Sequence, residues 1–161
     1  EVLLLDEPFS NLDSQLRALL FKHILKLRRE ENLTIILVSH EGQDVLGLSD
    51  VIYFLNKGKM SSKKTPFNAY YQLNHLRNAL LLGIVNQISV DKRKIRFRPD
   101  EYEISAKGEH MLEFESSLFL GHYYLNYFMG AGDETIILSS TEPFRESFKI
   151  NIVNKYPKKP I

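Results

Sequence analysis

The sequence Glu1-Val2-Leu3-Leu4-Leu5-Asp6-Glu7-Pro8-Phe9-Ser10-Asn11-Leu12-Asp13 sets an apolar run directly against a cluster of carboxylates. A short continuous apolar run bounded by a breaker is expected to form a strand buried on both faces. Pro8 has no amide to donate to a ladder, so the strand stops at about Glu7. Carboxylates at the exit of a buried parallel strand lie where α/β sheets place their chemistry, beyond the carboxyl ends of the strands. Neighbours in a strand start on opposite sides, so Asp6 and Glu7 are able to take different tasks. One can face a metal ion and the other a nucleophilic water.

Outward from this stretch, Asp13-Ser14 is a helix start whose side chains accept from first-turn amides. Leu16, Leu19, Leu20, Ile24 and Leu27 recur at helical spacing, and Arg28 and Arg29 put positive charge where the helix dipole favours it. The expected helix covers residues 14–31. Residues 34–39 are β-branched and apolar, hence a second buried strand ending at His40. A short helix over 41–48, a third strand over 51–55 and a hairpin connection at Asn56-Lys57-Gly58-Lys59 complete a βαβαββ order. That order implies an α/β layer with a mostly parallel sheet.

From Asn86 the texture changes to short alternating runs at 87–90, 94–98, 111–119, 123–128, 135–139 and 148–153. Turn residues separate them, and the spacing predicts a small all-β barrel or sandwich. The lysine- and proline-rich tail at 155–161 is expected to be poorly ordered.

Composition narrows the classes. The 161 residues suffice for one domain or two small ones, and 43% hydrophobic content can build a core. A net charge of +1 gives no electrostatic case for a nucleic-acid partner. The absence of cysteine excludes disulfides and cysteine metal sites. No apolar run approaches the roughly 20 residues that span a bilayer. His23, His75, His110 and His122 show no metal-ligand spacing and read as structural or exposed. The aromatic group His122-Tyr123-Tyr124 with Tyr127-Phe128 could stack bases, but an alternating strand with one face in the core accounts for it.

Asp6-Glu7-Pro8 followed by Ser10-Asn11-Leu12-Asp13 resembles the Walker B strand and D-loop of ATP-binding-cassette (ABC) ATPases. Residues 35–40 resemble the family's switch-histidine strand. Thr65-Pro66 with Tyr70, and Leu82-Gly83 with Asn86, are similar to elements of importer ATPases. Lys64 departs from the glycine often found there, and Phe67-Asn68 replaces an acidic pair. Arg98-Pro99-Asp100 and Phe119-Leu120-Gly121 resemble elements of the OB-like accessory domain of binding-protein-dependent importers.

The resemblance implies that Asp6 helps hold Mg²⁺, that Glu7 is the general base or orienter of the attacking water, and that His40 contacts the γ-phosphate of ATP. Ser10, Asn11, Leu12 and Asp13 would cross a homodimer interface of ATPase subunits. It further implies a membrane permease as partner, a solute-binding protein indirectly, and a place at the cytoplasmic face of the membrane. The expected organisation is the C-terminal part of a P-loop NTPase domain over residues 1–84, an OB-like β-domain over 85–154 and a tail over 155–161. The only Gly-Lys pair, Gly58-Lys59, is followed by Met60 and has Tyr53 where a phosphate loop needs its first glycine. No two glycines are adjacent, so the Ser-Gly-Gly signature is missing as well. The expectation is therefore a C-terminal part of a longer protein, inactive alone. Two other readings stand beside it: a soluble ABC ATPase of DNA repair or translation, and a regulatory or dimerisation module without catalysis.

Overall fold

A computed structural model describes residues 1–91 and 93–154. The element order is β1 (Val2–Asp6), α1 (Ser14–Glu30), β2 (Thr34–Val38), α2 (Gly42–Leu48), β3 (Leu55–Asn56), β4 (Lys59–Met60), α3 (Pro66–Tyr71) and α4 (Leu76–Leu81). Seven strands follow: β5 (Asn86–Val90), β6 (Arg93–Phe97), β7 (Tyr102–Ile104), β8 (His110–Phe119), β9 (Tyr124–Gly130), β10 (Thr135–Ser140) and β11 (Phe148–Ile152). By its contacts the chain divides into two compact units. One comprises Glu1–Tyr70 with Leu81–Gly83, and the other Tyr71–Leu80 with the chain from Ile84 on.

In the first unit β1 and β2 pair in parallel, in register from Val2 opposite Thr34 to Asp6 opposite Val38. The connection between them is α1, as a parallel pair requires. Asp13 starts the helix: its Oδ1 accepts from the amides of Gln15 at 2.8 Å and Leu16 at 2.9 Å. The first strand was expected to be buried on both faces and the second to be a buried strand, and the structure corrects this. They alternate between exposed and half-buried residues, leaving Val2, Leu4, Ile36 and Val38 open on one face. Among the described residues the sheet has two strands, and an apolar run cannot report how many layers cover it. The third strand expected over 51–55 is also corrected. Only Ile52 bridges, to Lys64, and the regular pairing begins at Leu55 in the β3–β4 hairpin. Ile52 and Phe54 instead pack with Ala69 and Leu82 in a small core. The helices α3 and α4 were not foreseen; each has six residues, too few for a clear periodic signal.

The second unit is built on an antiparallel sheet of order β10-β9-β8-β11-β7, with β5 and β6 forming a separate hairpin. Its core gathers Ile88, Phe97, Leu112, Phe128, Ile136, Leu138 and Ile150. A register irregularity between Phe114 and Ser116 interrupts the long strand β8, a device that bends a sheet locally. Asn86 links β5 to β10 by imitating a strand: its Nδ2 donates to the Ile137 carbonyl and its Oδ1 accepts from the Ile137 amide, both at 2.8 Å. All six strand segments expected in this half occur, and β7 is an addition. The expected tail at 155–161 lies outside the described residues, as does Lys92. The coarse reading of an α/β segment succeeded along the chain by an antiparallel β-unit describes the molecule.

Candidate functional site

The candidate site forms where β1 and β2 end side by side. Asp6 is the last residue of β1, and the amide of Glu7 still donates to the Val38 carbonyl at 2.9 Å. Glu7 then leaves the strand with φ 46°, a left-handed conformation that a non-glycine residue rarely adopts. The two carboxylates are thus carried on different backbone, Asp6 on the strand and Glu7 on the left-handed residue after it. A left-handed residue at such a place is the kind of local strain that accumulates at functional positions. The segment after it is braced by Ser10, whose amide and hydroxyl both donate to the Glu7 carbonyl, at 3.1 and 2.7 Å. Asn11 is left-handed too, with φ 64°. Asp13 is committed to capping α1, so its carboxylate serves local structure in this state.

His40 stands in the loop between β2 and α2. Its Nδ1 lies 2.8 Å from Glu7 Oε2, and its Nε2 lies 3.5 Å from Glu41 Oε1. The hydrogen bond to Glu7 and the charge of that carboxylate raise the His40 pKa above its ordinary 6.5, with smaller upward contributions from Glu41 and Asp44. The imidazole is largely solvent-exposed, so it can also reach an incoming anion. The structure thus brings Glu7 and His40 together.

Asp6 stands apart from that pair. It is exposed, and its carboxylate has no hydrogen bond or ion pair among the described residues. Those residues contain no group of three or more histidine, aspartate or glutamate side chains able to hold a metal ion. A single open carboxylate fits Mg²⁺, which takes one or two carboxylates and completes its shell with water and phosphate oxygens. It would not suit a metal that needs a protein cage.

Two residues absent from the sequence-based set belong to the surroundings of this site. Arg17 of α1 donates through Nε and Nη2 to Asp44 Oδ1 of α2, at 3.1 and 2.6 Å. Asp44 is 1% exposed, and its Oδ2 has no hydrogen-bond partner among the described residues. The guanidinium of Arg17 also lies 5.9 Å from the ring centroid of Phe9, which is buried and packs on Phe21 at 5.4 Å. The sequence marks Asp44 only as part of the resemblance, where His40-Glu41 followed by Asp44 is similar to importer ATPases, and gives neither Arg17 nor Asp44 a role.

No family model matches the chain. Its sequence is 31% identical over 121 residues to the spermidine/putrescine import ATP-binding protein PotA of Bacillus thuringiensis subsp. konkukian, a match covering 75% of this chain and 36% of that protein. It is 33% identical over 108 residues to the sulfate/thiosulfate import ATP-binding protein CysA of Pseudomonas syringae pv. tomato, covering 66% of this chain and 33% of that one. A solved metal-chelate type ABC transporter in an inward-facing conformation aligns with 60% of the chain and 38% of its own, at 22% identity and a TM-score of 0.44. The chain spans about a third of the length of the curated relatives it matches. Over the region they share, the chain is homologous to the ATP-binding subunits of ABC importers.

Proposed function

We propose that these residues supply the hydrolytic carboxylates and the switch histidine of an ABC ATPase that drives solute import. The observation that carries this reading is the Glu7–His40 pair, 2.8 Å apart at the carboxyl ends of two adjacent parallel strands. Homology to importer ATP-binding subunits supports it.

In this reading MgATP sits between two ATPase subunits, on a phosphate loop that these residues do not include. Asp6 is the residue that would hold Mg²⁺, which when bound neutralises charge on the β- and γ-phosphates. Glu7 accepts a proton from, or orients, the attacking water. His40 donates to the transferred phosphoryl group and stabilises its charge. The pairing suggests how the two residues alternate. While His40 holds Glu7, the carboxylate is not free for water; an anionic phosphoryl oxygen competes for the imidazole and releases it. Ser10, Asn11, Leu12 and Asp13 face the partner subunit.

Residues 1–84 are then the C-terminal part of a P-loop domain, and 85–154 an OB-like accessory domain to which the antiparallel sheet lends support. The working protein would be peripheral at the cytoplasmic face of a membrane. There it would couple hydrolysis to a permease that a solute-binding protein supplies. No helix among the described residues is long and apolar enough to cross a membrane, which suits a permease contributed by other chains.

The test is ATP turnover by the full-length protein carrying these residues, beside Glu7→Gln. Turnover by the wild type, with a variant that binds MgATP and does not hydrolyse it, supports the assignment. Equal turnover in both removes Glu7 from the reaction.

A further inference from the structure

Two backbone segments must be held in place for Glu7 and His40 to meet. The first runs from the end of β1 through Glu7 and Pro8 to Phe9, whose buried ring anchors it. The second runs from the end of β2 through His40 to α2, where the buried Asp44 anchors it. Each anchor lies two to four residues beyond the functional side chain. One residue touches both: the Arg17 guanidinium faces the Phe9 ring and grips Asp44.

We infer that Arg17 is a positioning residue for the Glu7–His40 pair, locking the Phe9 and Asp44 anchors together so that carboxylate and imidazole stay within hydrogen-bond distance. The geometry argues against a surface ion pair of little consequence. Asp44 is fully enclosed, both Arg17 contacts converge on one of its oxygens, and among the described residues the other oxygen has no hydrogen-bond partner. A buried carboxylate with one lone partner depends heavily on that partner. Arg17 also sits on α1 one turn after Asp13, which caps the helix. The helix that follows the D-loop is therefore tied directly to the helix that follows the switch histidine. This deepens the reading of Glu7 and His40 as the hydrolytic pair and rests on it, but its test reads the pair directly and does not depend on turnover.

The test is an NMR titration of the His40 ring in the 161-residue chain, in wild type, Arg17→Met and Glu7→Gln. The charged groups facing His40 from the elements around it are Glu7, Glu41 and Asp44, with Arg17 behind Asp44. Removing a cation from this set raises an imidazole pKa by charge alone. Losing the Glu7 partner lowers it. The two effects have opposite signs, so the direction decides.

If Arg17 positions the pair, Arg17→Met moves the His40 midpoint down by at least half of the shift that Glu7→Gln produces. An unchanged or raised midpoint, with β1 and β2 amide signals intact, overturns the inference. Should Arg17→Met disrupt the first unit, Phe9→Leu provides the deciding arm, since it keeps an apolar anchor and removes the ring that Arg17 faces. A smaller downward shift in Phe9→Leu supports the inference, and no shift overturns it.

Discussion

The most demanding prediction concerns Arg98, a fully buried arginine in the second unit. Its Nη1 donates to the Ile84 carbonyl at 2.8 Å and its Nη2 to the Ala79 carbonyl at 3.0 Å, while its own amide donates to Glu101 Oε2 at 2.8 Å. The guanidinium thus satisfies a carbonyl in the last turn of α4 and another just before β5. Arg98→Met retains most of the aliphatic stem and leaves both carbonyls without this donor. A buried acceptor so orphaned costs about 1–3 kcal/mol. Ala79 is buried and Ile84 only half-buried, so water relieves part of the second penalty and the expected loss is about 2–4 kcal/mol. Arg98→Lys keeps the charge but not the planar fork, and is expected to lose roughly half as much. Because two units need not unfold together, the assay is native-state hydrogen exchange at the slowest amides of β9 and β10, which report on the second unit alone. The loss corresponds to exchange about 30- to 700-fold faster. Exchange in Arg98→Met within about twofold of wild type would refute the argument that these carbonyls depend on the guanidinium.

Other outcomes follow from the same reasoning. The raised pKa of His40 fixes the sign of its pH dependence: the stabilisation from its pairing with Glu7 is fully present below about 6.5 and fades as pH rises through the raised value. Glu7→Gln returns the ring's NMR midpoint toward 6.5; a midpoint that does not fall contradicts the pairing. Leu112→Ala empties a site 1% exposed in the β-core and costs about 2–5 kcal/mol, whereas Ile36→Thr on the open face of β2 stays within about 0.5 kcal/mol. Urea titrations followed by circular dichroism compare them, and equal losses would mean that the open face is covered. Gly42→Ala places a methyl 2.6 Å from the Leu81 carbonyl oxygen and 2.7 Å from Leu82 Cα. Both are backbone atoms that yield little, so a loss of about 1–3 kcal/mol is expected in the same titrations, and a neutral result would show that residues 81–82 shift freely.

Much of the molecule was legible in the chain because its signals are local. An apolar run stopped by Pro8 marked β1, and Asp13 before a 3.6-residue period marked α1. Turn chemistry at Lys57-Gly58 marked a hairpin, where both residues are left-handed. Asp6, Glu7 and His40 were named as candidates through the resemblance of their surroundings to ABC ATPases, and each sits at or just beyond a strand end. The short helices α3 and α4 and the strand β7 escaped because six or three residues carry too little periodicity to rise above loop composition.

What the sequence by itself determined is the longer elements and their order, because hydrophobic period, capping and breakers act within a few residues. The tertiary structure decided what depends on distance between segments. It put Glu7 against His40 across 33 positions of sequence, a meeting fixed by the register of β1 on β2 and by the left-handed turn at Glu7. It left one face of those strands open, which an apolar run cannot reveal because it specifies a preference for burial and not a partner. It also joined Arg17 to Asp44 and Phe9. Each of these three is unremarkable in the chain, and they become one element of the site only when two helices pack and a charge loses its water.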